Sequence, residues 1–363
     1  MRTIVLGDLH LATHAPPAVA RDLVTLLGRH RGDRVVFAGD FFDTTAEGFE
    51  AHPHVRRALA EHVESGGETV WIAGNHDSDL VDVAKAIGVR GEAAARVRRT
   101  PWFFRQGGLH VEHGHLFDPD NAPPHPLASS RGTLGVHFVE EFIAKTGAFH
   151  YLNANDKTPL ELFVSAFRWY GRRGPHVVYT YFRAAFSALG KSGRFWAGAD
   201  EAARADAGLA AFLEDAGLGE REARVLMDEH AMPTMRSLRA TVARLYLDRV
   251  TATVSILAGL SALALGRRRL ALVLGAAGLA GLAFSWSRGH DRYGGKVTAR
   301  LDDGARRVAR ATGAKLVVFG HAHEIADREG YSNTASFAFP RRAPGRPYLE
   351  IEGDRATRRF FVA

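Results

Sequence analysis

The stretch Arg34-Val35-Val36-Phe37-Ala38-Gly39-Asp40 contains the pattern that decides the fold. Its first five residues form a short apolar run of the kind found in a buried parallel strand, and the run stops at a glycine and a carboxylate. Four other short runs also stop at a glycine paired with a polar residue. They are Thr3–Leu6, Thr69–Ala73, Leu109–Glu112 and Lys315–Phe319. Helix-like stretches such as Ala18–His30 and Val55–Ser65 lie between them, which is typical of an α/β fold.

The polar side chains at the ends of these five runs indicate a metal site. They are Asp8, His10, Asp40, Asn75, His76, His113, His321 and His323. Ligands of open α/β sheets bind at the carboxyl ends of the strands, and the adjacent glycines let the backbone approach a bound group closely. Carboxylate, amide and imidazole groups suit Mn²⁺, Fe or Zn²⁺.

The spacing of these residues favours two ions. Asp8 and His10 are two residues apart, as are His321 and His323, so we expect each pair to point the same way at a strand end and to converge on one ion. Asp40 has two carboxylate oxygens and would bridge both ions.

Each residue taken alone has a plainer interpretation. An Asp after Gly is usually a turn residue or a helix cap, Asn75 alone would be a turn residue, and a single His-x-His pair is a weak signal. We favour the metal site because five such positions follow five predicted strands.

Length and composition limit the other possibilities. A chain of 363 residues suggests about two domains, and 46% hydrophobic with 24% charged residues is ordinary for a globular protein. The absence of cysteine excludes disulfides, Cys-based zinc sites and a Cys nucleophile. The net charge of +7 suggests a polyanionic partner, which would be nucleic acid, a phosphorylated substrate or an acidic membrane face.

The ordered motifs resemble those of the calcineurin-like metallophosphoesterases. The matching segments, over residues 1–120 and 312–363, are Asp8-x-His10, Gly39–Asp43, Gly74–Asp77, His113–His115 and Gly320–His323. Asn333–Phe337 also resembles a segment common after the last motif. The resemblance implies an α/β fold that is a four-layer αββα sandwich, with a dimetal site at one edge.

The resemblance also implies the ligands of each ion. Asp8, His10 and His323, together with Asp40, would hold one ion. The second ion would be held by Asn75, His113 and His321, again with Asp40. We expect two divalent ions, Mn²⁺ first, with Fe or Zn²⁺ as alternatives.

Such a site would hydrolyse a phosphoester without a protein nucleophile. Two metals clamp an in-line displacement at phosphorus, lower the pKa of a bridging water to give hydroxide, and neutralise charge on the phosphoryl oxygens. His76 would sit over the substrate phosphate as a proton donor or charge stabiliser. Asp77 would orient His76 through a hydrogen bond.

Residues 121–310 separate the two parts of the predicted catalytic domain, 1–120 and 311–363, and are far longer than a sheet crossover requires. We interpret them as a helical insertion that forms a lid. Phe182–Phe186 and Ala202–Ala216 have helical periodicity, and a break is expected at Gly190–Gly193.

The insertion contains two uncharged runs, Val250–Leu265 and Leu270–Trp286, of 16 and 17 residues, joined through Arg267-Arg268-Arg269. Each would span about 25 Å as a helix, slightly less than the roughly 30 Å hydrocarbon core. Both are rich in Gly and Ala, which permit close helix contact in lipid. We therefore predict a membrane hairpin at 250–286. The alternatives are insertion into a single leaflet and a buried hairpin of a soluble domain.

Charge predicts the orientation of this hairpin. Residues 236–310 carry 14 basic and 4 acidic side chains. Eight of the basic residues flank the two runs on the domain side, against three at the tip. They are Arg236, Arg239, Arg244, Arg249, Arg288, Arg292, Lys296 and Arg300. The positive-inside rule then places the protein in the inner membrane, with the catalytic domain in the cytoplasm, and the beginning of the sequence shows no secretory signal. The polyanionic partner would be an anionic membrane surface.

Within the family, the layout most resembles the UDP-2,3-diacylglucosamine hydrolases, which carry a helical insertion at the same point that receives the acyl chains of a lipid. This chain differs in having Asn75-His76-Asp77 for Asn-Arg-Asp, His113-Gly114-His115 for His-Gly-Asp, and a longer insertion. The segment Phe117–Pro123, which follows the fourth motif, would contact substrate at the rim or be a Pro-stiffened loop.

Three functions are compatible with these observations. The first is a membrane-bound phosphoesterase acting on a lipid-linked phosphate or pyrophosphate such as UDP-2,3-diacylglucosamine. The second acts on a soluble nucleotide or phosphoprotein, with the hairpin only as an anchor. The third, a catalytically inactive membrane scaffold, is disfavoured because no predicted metal ligand is missing. Nucleic acid is not the expected partner, because no stripe of alternating aromatic and basic residues is present.

Overall fold

The computed structural model describes residues 2–12, 17–43, 48–79, 82–148, 150–151, 159–193, 199–287, 296–341 and 343–362. The chain forms two compact units. The first unit consists of Met1–Val136, Gly198–Pro233 and Val297–Ala363. The second consists of His137–Ala197 and Thr234–Lys296.

The first unit contains two mixed sheets. Its strands are β1 (Thr3–Leu6), β2 (Arg34–Ala38), β3 (Glu68–Ile72), β4 (Val97–Thr100), β5 (Phe103–Gln106), β6 (Leu109–Glu112), β7 (Leu316–Phe319), β8 (Ala326–Arg328), β9 (Tyr331–Asn333), β10 (Arg346–Glu352) and β11 (Arg355–Phe361). The first sheet has the order β11-β10-β1-β2-β3-β4, and the second has the order β5-β6-β7-β9-β8. The strands β1 to β4 are parallel neighbours, as are β6, β7 and β9.

Helices supply the remaining regular structure. They are α1 (Pro17–Arg29), α2 (Pro53–Glu64), α3 (Val83–Ile87), α4 (Leu134–Phe138), α5 (Ala144–Thr146), α6 (Pro159–Tyr170), α7 (Gly174–Lys191), α8 (Ala199–Ala216), α9 (Glu220–Asp228), α10 (Leu238–Arg244), α11 (Leu247–Ala264), α12 (Arg268–Ser287) and α13 (Lys296–Thr312). The helices predicted around residues 18–30, 55–65 and 202–216 correspond to α1, α2 and α8, and the expected break after residue 190 falls at the end of α7.

The two sheets pack face to face through one apolar layer. Alternate residues of a strand point to opposite faces, so Val5 of β1 and Val36 of β2 face the second sheet. There they share a buried cluster with Val111 and Val318. Such a layer of β-branched residues joins the sheets without polar groups that would need partners inside.

Helices cover both outer faces. Ile4 and Leu6, which flank Val5, pack against α1, α2 and α3. The outer face of the second sheet packs against α8, α9 and α13, through residues such as Leu213, Leu226 and Leu301. The predicted four-layer αββα sandwich is therefore confirmed, and three helices of the sequence between the fourth and fifth motifs form its last layer.

The five predicted strands do not share one sheet. β1, β2 and β3 belong to the first sheet, whereas β6 and β7 belong to the second. The compact units also divide the chain at other places than the predicted domains, because residues 198–233 and 297–310 group with the sheets. The predicted domains were residues 1–120 with 311–363, and residues 121–310. These boundaries mark where sequence is inserted between the motifs, and the division into these two domains stays a prediction.

The second unit is helical in its described residues and contains the predicted hairpin as α11 and α12. Both helices are long and apolar enough to cross a membrane by length and composition, and only 22% and 11% of their most apolar windows are buried in the protein. The glycines of the pair allow the backbones to approach closely. A Cβ on Gly259 would lie 2.9 Å from the backbone nitrogen of Gly275.

Candidate metal centre

The predicted ligands lie together where strands of both sheets end. Asp8 and His10 follow β1, Asp40 follows β2, and Asn75 follows β3, all in the first sheet. The others follow strands of the second sheet: His113 follows β6, and His321 and His323 follow β7. All seven side chains are buried, with at most 9% of any residue exposed. The structure therefore brings the seven residues into one buried cluster.

The backbone at this edge is left-handed rather than extended. Asp8, His10, Asp40, His321 and His323 have φ angles between 42° and 65°. The expectation that the pairs Asp8/His10 and His321/His323 each converge on one ion through the alternation of an extended strand is therefore wrong. Asp8 and His10 share one cluster, whereas His321 and His323 belong to different clusters. Each loop turns sharply after its strand, in a backbone region that non-glycine residues rarely adopt.

The first cluster contains Asp8, His10 and His323. The Nε2 atoms of the two histidines are 3.0 Å apart, and Nε2 of His323 is 3.0 Å from Oδ1 of Asp8. Nδ1 of His10 is 3.1 Å from a carboxylate oxygen of Asp43, to which it donates, so Nε2 is the ring atom left to bind an ion. One carboxylate and two imidazole nitrogens in this arrangement suit a divalent transition metal.

The second cluster contains Asp40, His113 and His321, with Asn75 beside them. Nδ1 of His113 donates to the carbonyl oxygen of Ala38 at 2.8 Å. Its Nε2 therefore faces Oδ1 of Asn75 at 3.0 Å and Oδ2 of Asp40 at 3.2 Å. Three atoms with lone pairs converge here, which is the arrangement that a bound cation satisfies.

The electrostatics of the cluster also favour positive charge. Burial lowers the pKa of His113, but the Asp40 carboxylate outweighs burial and raises that pKa to about 10. For His10, burial is likewise outweighed by its hydrogen bond to Asp43 and by Asp40, and the pKa rises to about 9. The carboxylates around His113 and His10 therefore stabilise a positive charge at these two rings.

Two glycines let Asp40 occupy this position. Gly39 has a φ of +83°, and a Cβ there would overlap the ring of His113. A Cβ on Gly74 would overlap Asp40 itself. Oδ1 of Asp40 accepts the backbone N–H of His76 at 2.9 Å, which holds the carboxylate in place.

His76 is held by a different residue from the one predicted. Both carboxylate oxygens of Asp77 accept backbone N–H groups, from Phe41 at 2.7 Å and from Gly74 at 2.9 Å. The ring of His76 instead donates from Nδ1 to the carbonyl oxygen of Asp43 at 2.6 Å. Asp77 therefore braces two ligand-bearing loops, and the expected hydrogen bond from Asp77 to His76 is replaced by one from Asp43.

Neither Asp43 nor Asp118 was predicted to contact a metal ligand. Asp43 binds His10 through its side chain and His76 through its carbonyl. Asp118 is buried and lies 3.0 Å from Nε2 of His321. Asp43 was visible as the last residue of the second motif, whereas Asp118 was visible only as part of the loop after the fourth motif.

That loop reaches two of the predicted ligands. Asn121 donates from Nδ2 to Asp118 at 2.7 Å and accepts from Nδ2 of Asn75 at 3.2 Å. Residues 118–121 therefore connect Asn75 to His321 through hydrogen bonds. The predicted contact of segment 117–123 with substrate at the rim stays a prediction.

A two-sheet sandwich with buried carboxylate–imidazole clusters at its edge defines a protein with a candidate metal centre. A family model described as calcineurin-like phosphoesterase matches residues 1–184 of the 363 in the chain. The chain therefore belongs to the calcineurin-like phosphoesterase family and is a metal-dependent phosphoester hydrolase. The match includes the first four motifs, and the fold brings the fifth, at residues 320–323, to the same site. None of the curated proteins matches the chain.

Proposed function

We propose that the protein is a membrane-anchored dimetal phosphoesterase that hydrolyses a lipid-linked phosphate or pyrophosphate. UDP-2,3-diacylglucosamine is the candidate substrate, because the layout resembles the hydrolases of that lipid. The observation that carries the proposal is an apolar, outward-facing helical hairpin in a chain whose other unit is a phosphoesterase.

The dimensions of the hairpin support its insertion into lipid. Helices α11 and α12 contain 18 and 20 residues. At 1.5 Å per residue they span about 27 and 30 Å, against a hydrocarbon core of about 30 Å. Leu257, Leu260, Leu272 and Leu279 are each more than half exposed. These helices are therefore not the buried core of a soluble unit in the described residues, and a bilayer would cover their apolar faces.

Two hydroxyl groups inside the hairpin are hydrogen-bonded within it. The hydroxyl of Thr251 donates to the carbonyl of Leu247 at 2.8 Å, and the hydroxyl of Ser255 donates across the pair to Leu274 at 2.8 Å. Lipid offers no hydrogen-bond partners, so a spanning segment must pair such groups internally. This pairing supports the membrane location.

The arginines support the proposed orientation. Arg267, Arg268 and Arg269 lie at the turn between α11 and α12, and the larger basic group flanks the foot. Of the flanking residues, Arg288 and Arg292 lie outside the described residues. The proposal places the catalytic unit on the cytoplasmic side of the inner membrane.

In the proposed site, Asp8, His10 and His323 would hold one ion together with Asp40. Asn75, His113 and His321 would hold the second ion, again with Asp40. When bound, two divalent ions, proposed to be Mn²⁺, polarise the phosphoryl group and lower the pKa of a water molecule. Nδ1 of His76 is held by Asp43, so its Nε2 is the ring atom that holds or releases a proton to the leaving oxygen.

A substrate screen tests the proposal. Detergent-purified protein with Mn²⁺ is expected to hydrolyse an aryl phosphodiester, and to hydrolyse an acylated UDP-sugar with a much higher kcat/KM than soluble nucleotides. Asp40→Asn serves as the control and is expected to lose both activities. Equal kcat/KM for lipid-linked and soluble substrates would contradict the proposal that the substrate is a lipid. The assignment of phosphoesterase activity would still hold.

A further inference from the structure

We propose that helices α6 and α7 form a second membrane-contact surface, which lies at the headgroup level of an anionic bilayer beside the foot of the hairpin. The inference rests on the proposed membrane location of the hairpin and goes beyond it, because residues outside 250–286 in the insertion were predicted only to form a lid. We call the surface formed by the exposed faces of residues 163–168 and 176–186 the α6–α7 surface.

Helix α6 exposes large apolar side chains. Phe163, Val164 and Phe167 are 47%, 57% and 43% exposed. Their spacing of one and four residues places them on one face of the helix. Ala166 of the same helix is fully buried, and Trp169 and Tyr170 at its end pack against His150 and Tyr151. Among the described side chains of α6, the two phenylalanines are therefore more exposed than the residues that pack into the unit.

Helix α7 exposes a mixed aromatic and basic face. His176, Tyr179, Arg183 and Phe186 are exposed and recur at spacings of three, four and three residues. The opposite face, which includes Val177 and Ala184, is buried. Tyr179 and Phe186 lie beside Arg183 on this face, so at a membrane interface the rings would lie among the acyl chains while the long arginine side chain reaches the phosphates.

Charge on these helices matches an anionic surface. Residues 159–191 contain five basic residues, Arg168, Arg172, Arg173, Arg183 and Lys191, against one acidic residue, Glu161. Within the described part of the chain, no carboxylate lies within ion-pair distance of Arg168, Arg172 or Arg183. Each such cation near anionic lipid is attracted to the phosphates of the headgroups.

An apolar cavity joins helix α7 to the hairpin. The cavity has a volume of about 490 Å³ and is lined by Phe186 and Leu189 of α7, by Leu247 and Val250 of α11, and by Gly278 of α12. Residues 247 and 250 are in the first turn of α11, at the foot of the hairpin. The C-terminal half of α7 therefore lies beside the point where the hairpin would enter the bilayer. Phe186 would lie at the same depth in the bilayer as the first turn of α11.

The absence of native cysteine makes this depth measurable with single labels. Full-length variants Phe163→Cys, Tyr179→Cys and Phe186→Cys would carry an NBD fluorophore. They would be reconstituted in vesicles of equal parts phosphatidylethanolamine and phosphatidylglycerol. A lipid with a quencher near the headgroup is expected to quench these labels at least about twofold more than one with a quencher deep in the acyl chain.

Two further labels are the controls. Leu257→Cys, in the middle of α11, is expected to be quenched most by the deep quencher. Val362→Cys, in the catalytic unit, is as exposed as Phe186, at 61%, and is expected to show no quenching. Quenching at Leu257 without quenching at the three α6–α7 positions would overturn this inference and leave the hairpin in the membrane. The absence of quenching at Leu257 would instead overturn the membrane part of the proposed function.

A charge reversal tests whether the α6–α7 surface is attracted to anionic lipid or binds the bilayer through apolar contacts alone. Arg168→Glu combined with Arg183→Glu is expected to reduce quenching at Phe186 at least about twofold in the anionic vesicles. In phosphatidylcholine vesicles the same pair is expected to have little effect. Unchanged quenching in anionic vesicles would contradict the choice of an anionic bilayer as the partner.

Discussion

Strained backbone at the metal centre is held by hydrogen bonds between loops. A left-handed conformation costs a non-glycine residue roughly 1–3 kcal/mol, and five predicted ligands adopt it. The carboxylate of Asp8 accepts the backbone N–H of His321 at 3.0 Å, and Ser336 donates to the carbonyl of Asp8 at 2.9 Å. His10 donates its backbone N–H to the carbonyl of Asp40 at 3.0 Å. The three loops therefore support one another, so the ligands are positioned before any ion binds.

Removal of the charge of Asp118 tests the positioning of His321. We expect Asp118→Asn to lower the affinity of one of the two ions by about 10- to 100-fold, because the carboxylate no longer orients the ring. A Mn²⁺ titration followed by electron paramagnetic resonance measures both affinities without substrate. Asp354→Asn, which removes an exposed carboxylate paired with Lys315 at 3.7 Å, is the matched control. Two unchanged affinities would show that Asp118 has no such role.

We expect His230 to make the catalytic unit sensitive to acid. Burial, with a smaller contribution from nearby His125, lowers the pKa of His230 to about 3, and its ring packs edge-on to Trp102 and Phe117. In the unfolded chain the pKa returns to about 6.5. The unfolded state thus binds one more proton between these values, and stability is lost as pH falls below about 6.5, by up to about 1.4 kcal/mol per pH unit.

The variant His230→Gln isolates this contribution. Its Tm is expected to be below that of the wild type at pH 7.5, because ring packing is lost. The difference is expected to shrink or reverse at pH 5, because glutamine does not titrate. Thermal unfolding at both pH values measures it, and an equal difference at the two would contradict the assignment.

A residue's role can be predicted from the sequence when it depends on residues nearby in the chain, and not when it depends on a contact between distant residues. The ligands were predictable because each follows an apolar run and a glycine in the chain. The role of Asp118 was not, since it depends on a contact with His321, 203 residues away. The left-handed backbone at the ligands was also not predicted. Glycine in a sequence indicates such a conformation, whereas aspartate and histidine do not indicate it as strongly.

At the scale of elements, the hairpin depends on close approach of α11 and α12. A Cβ on Gly278 would lie 2.6 Å from Ile256 and 2.7 Å from the carbonyl of Ala252. A Cβ on Gly275, one turn earlier in α12, would meet nothing within 4 Å. Alanine at each of the two positions therefore gives a matched pair of variants. The added methyl group enters the packed helix interface at position 278 and open space at position 275.

We expect Gly278→Ala to destabilise the hairpin by about 1–3 kcal/mol, because the backbone of α11 has to move away. Gly275→Ala is expected to be neutral or slightly stabilising, because alanine has the higher helix propensity. Thermal unfolding in detergent compares the two variants. A similar Tm for both would mean that the helices do not pack as closely as described.

At the scale of the whole molecule, the helices of the inserted sequence are divided between the two compact units. Helices α8, α9 and α13 complete the catalytic sandwich, whereas α10, α11 and α12 belong to the second unit. Motif order showed where sequence is inserted. It did not show which helical faces pack on the second sheet, because Leu213 and Leu301 have the same amphipathic spacing as residues that would line a separate lid.

Removal of the hairpin separates anchoring from catalysis. Nε of Arg249 is 3.0 Å from Oγ of Ser285, so residues 250–284 can be replaced by a short Gly-Ser linker without moving the ends of the remaining chain. We expect full-length protein to stay in membranes after carbonate extraction, and the shortened protein to be released. The sandwich does not include these residues, so aryl phosphodiester hydrolysis with Mn²⁺ is expected to fall less than about threefold, while preference for an acylated substrate falls. Release of full-length protein by carbonate would contradict the membrane hairpin, whereas loss of aryl phosphodiesterase activity on shortening would show that catalysis needs the second unit.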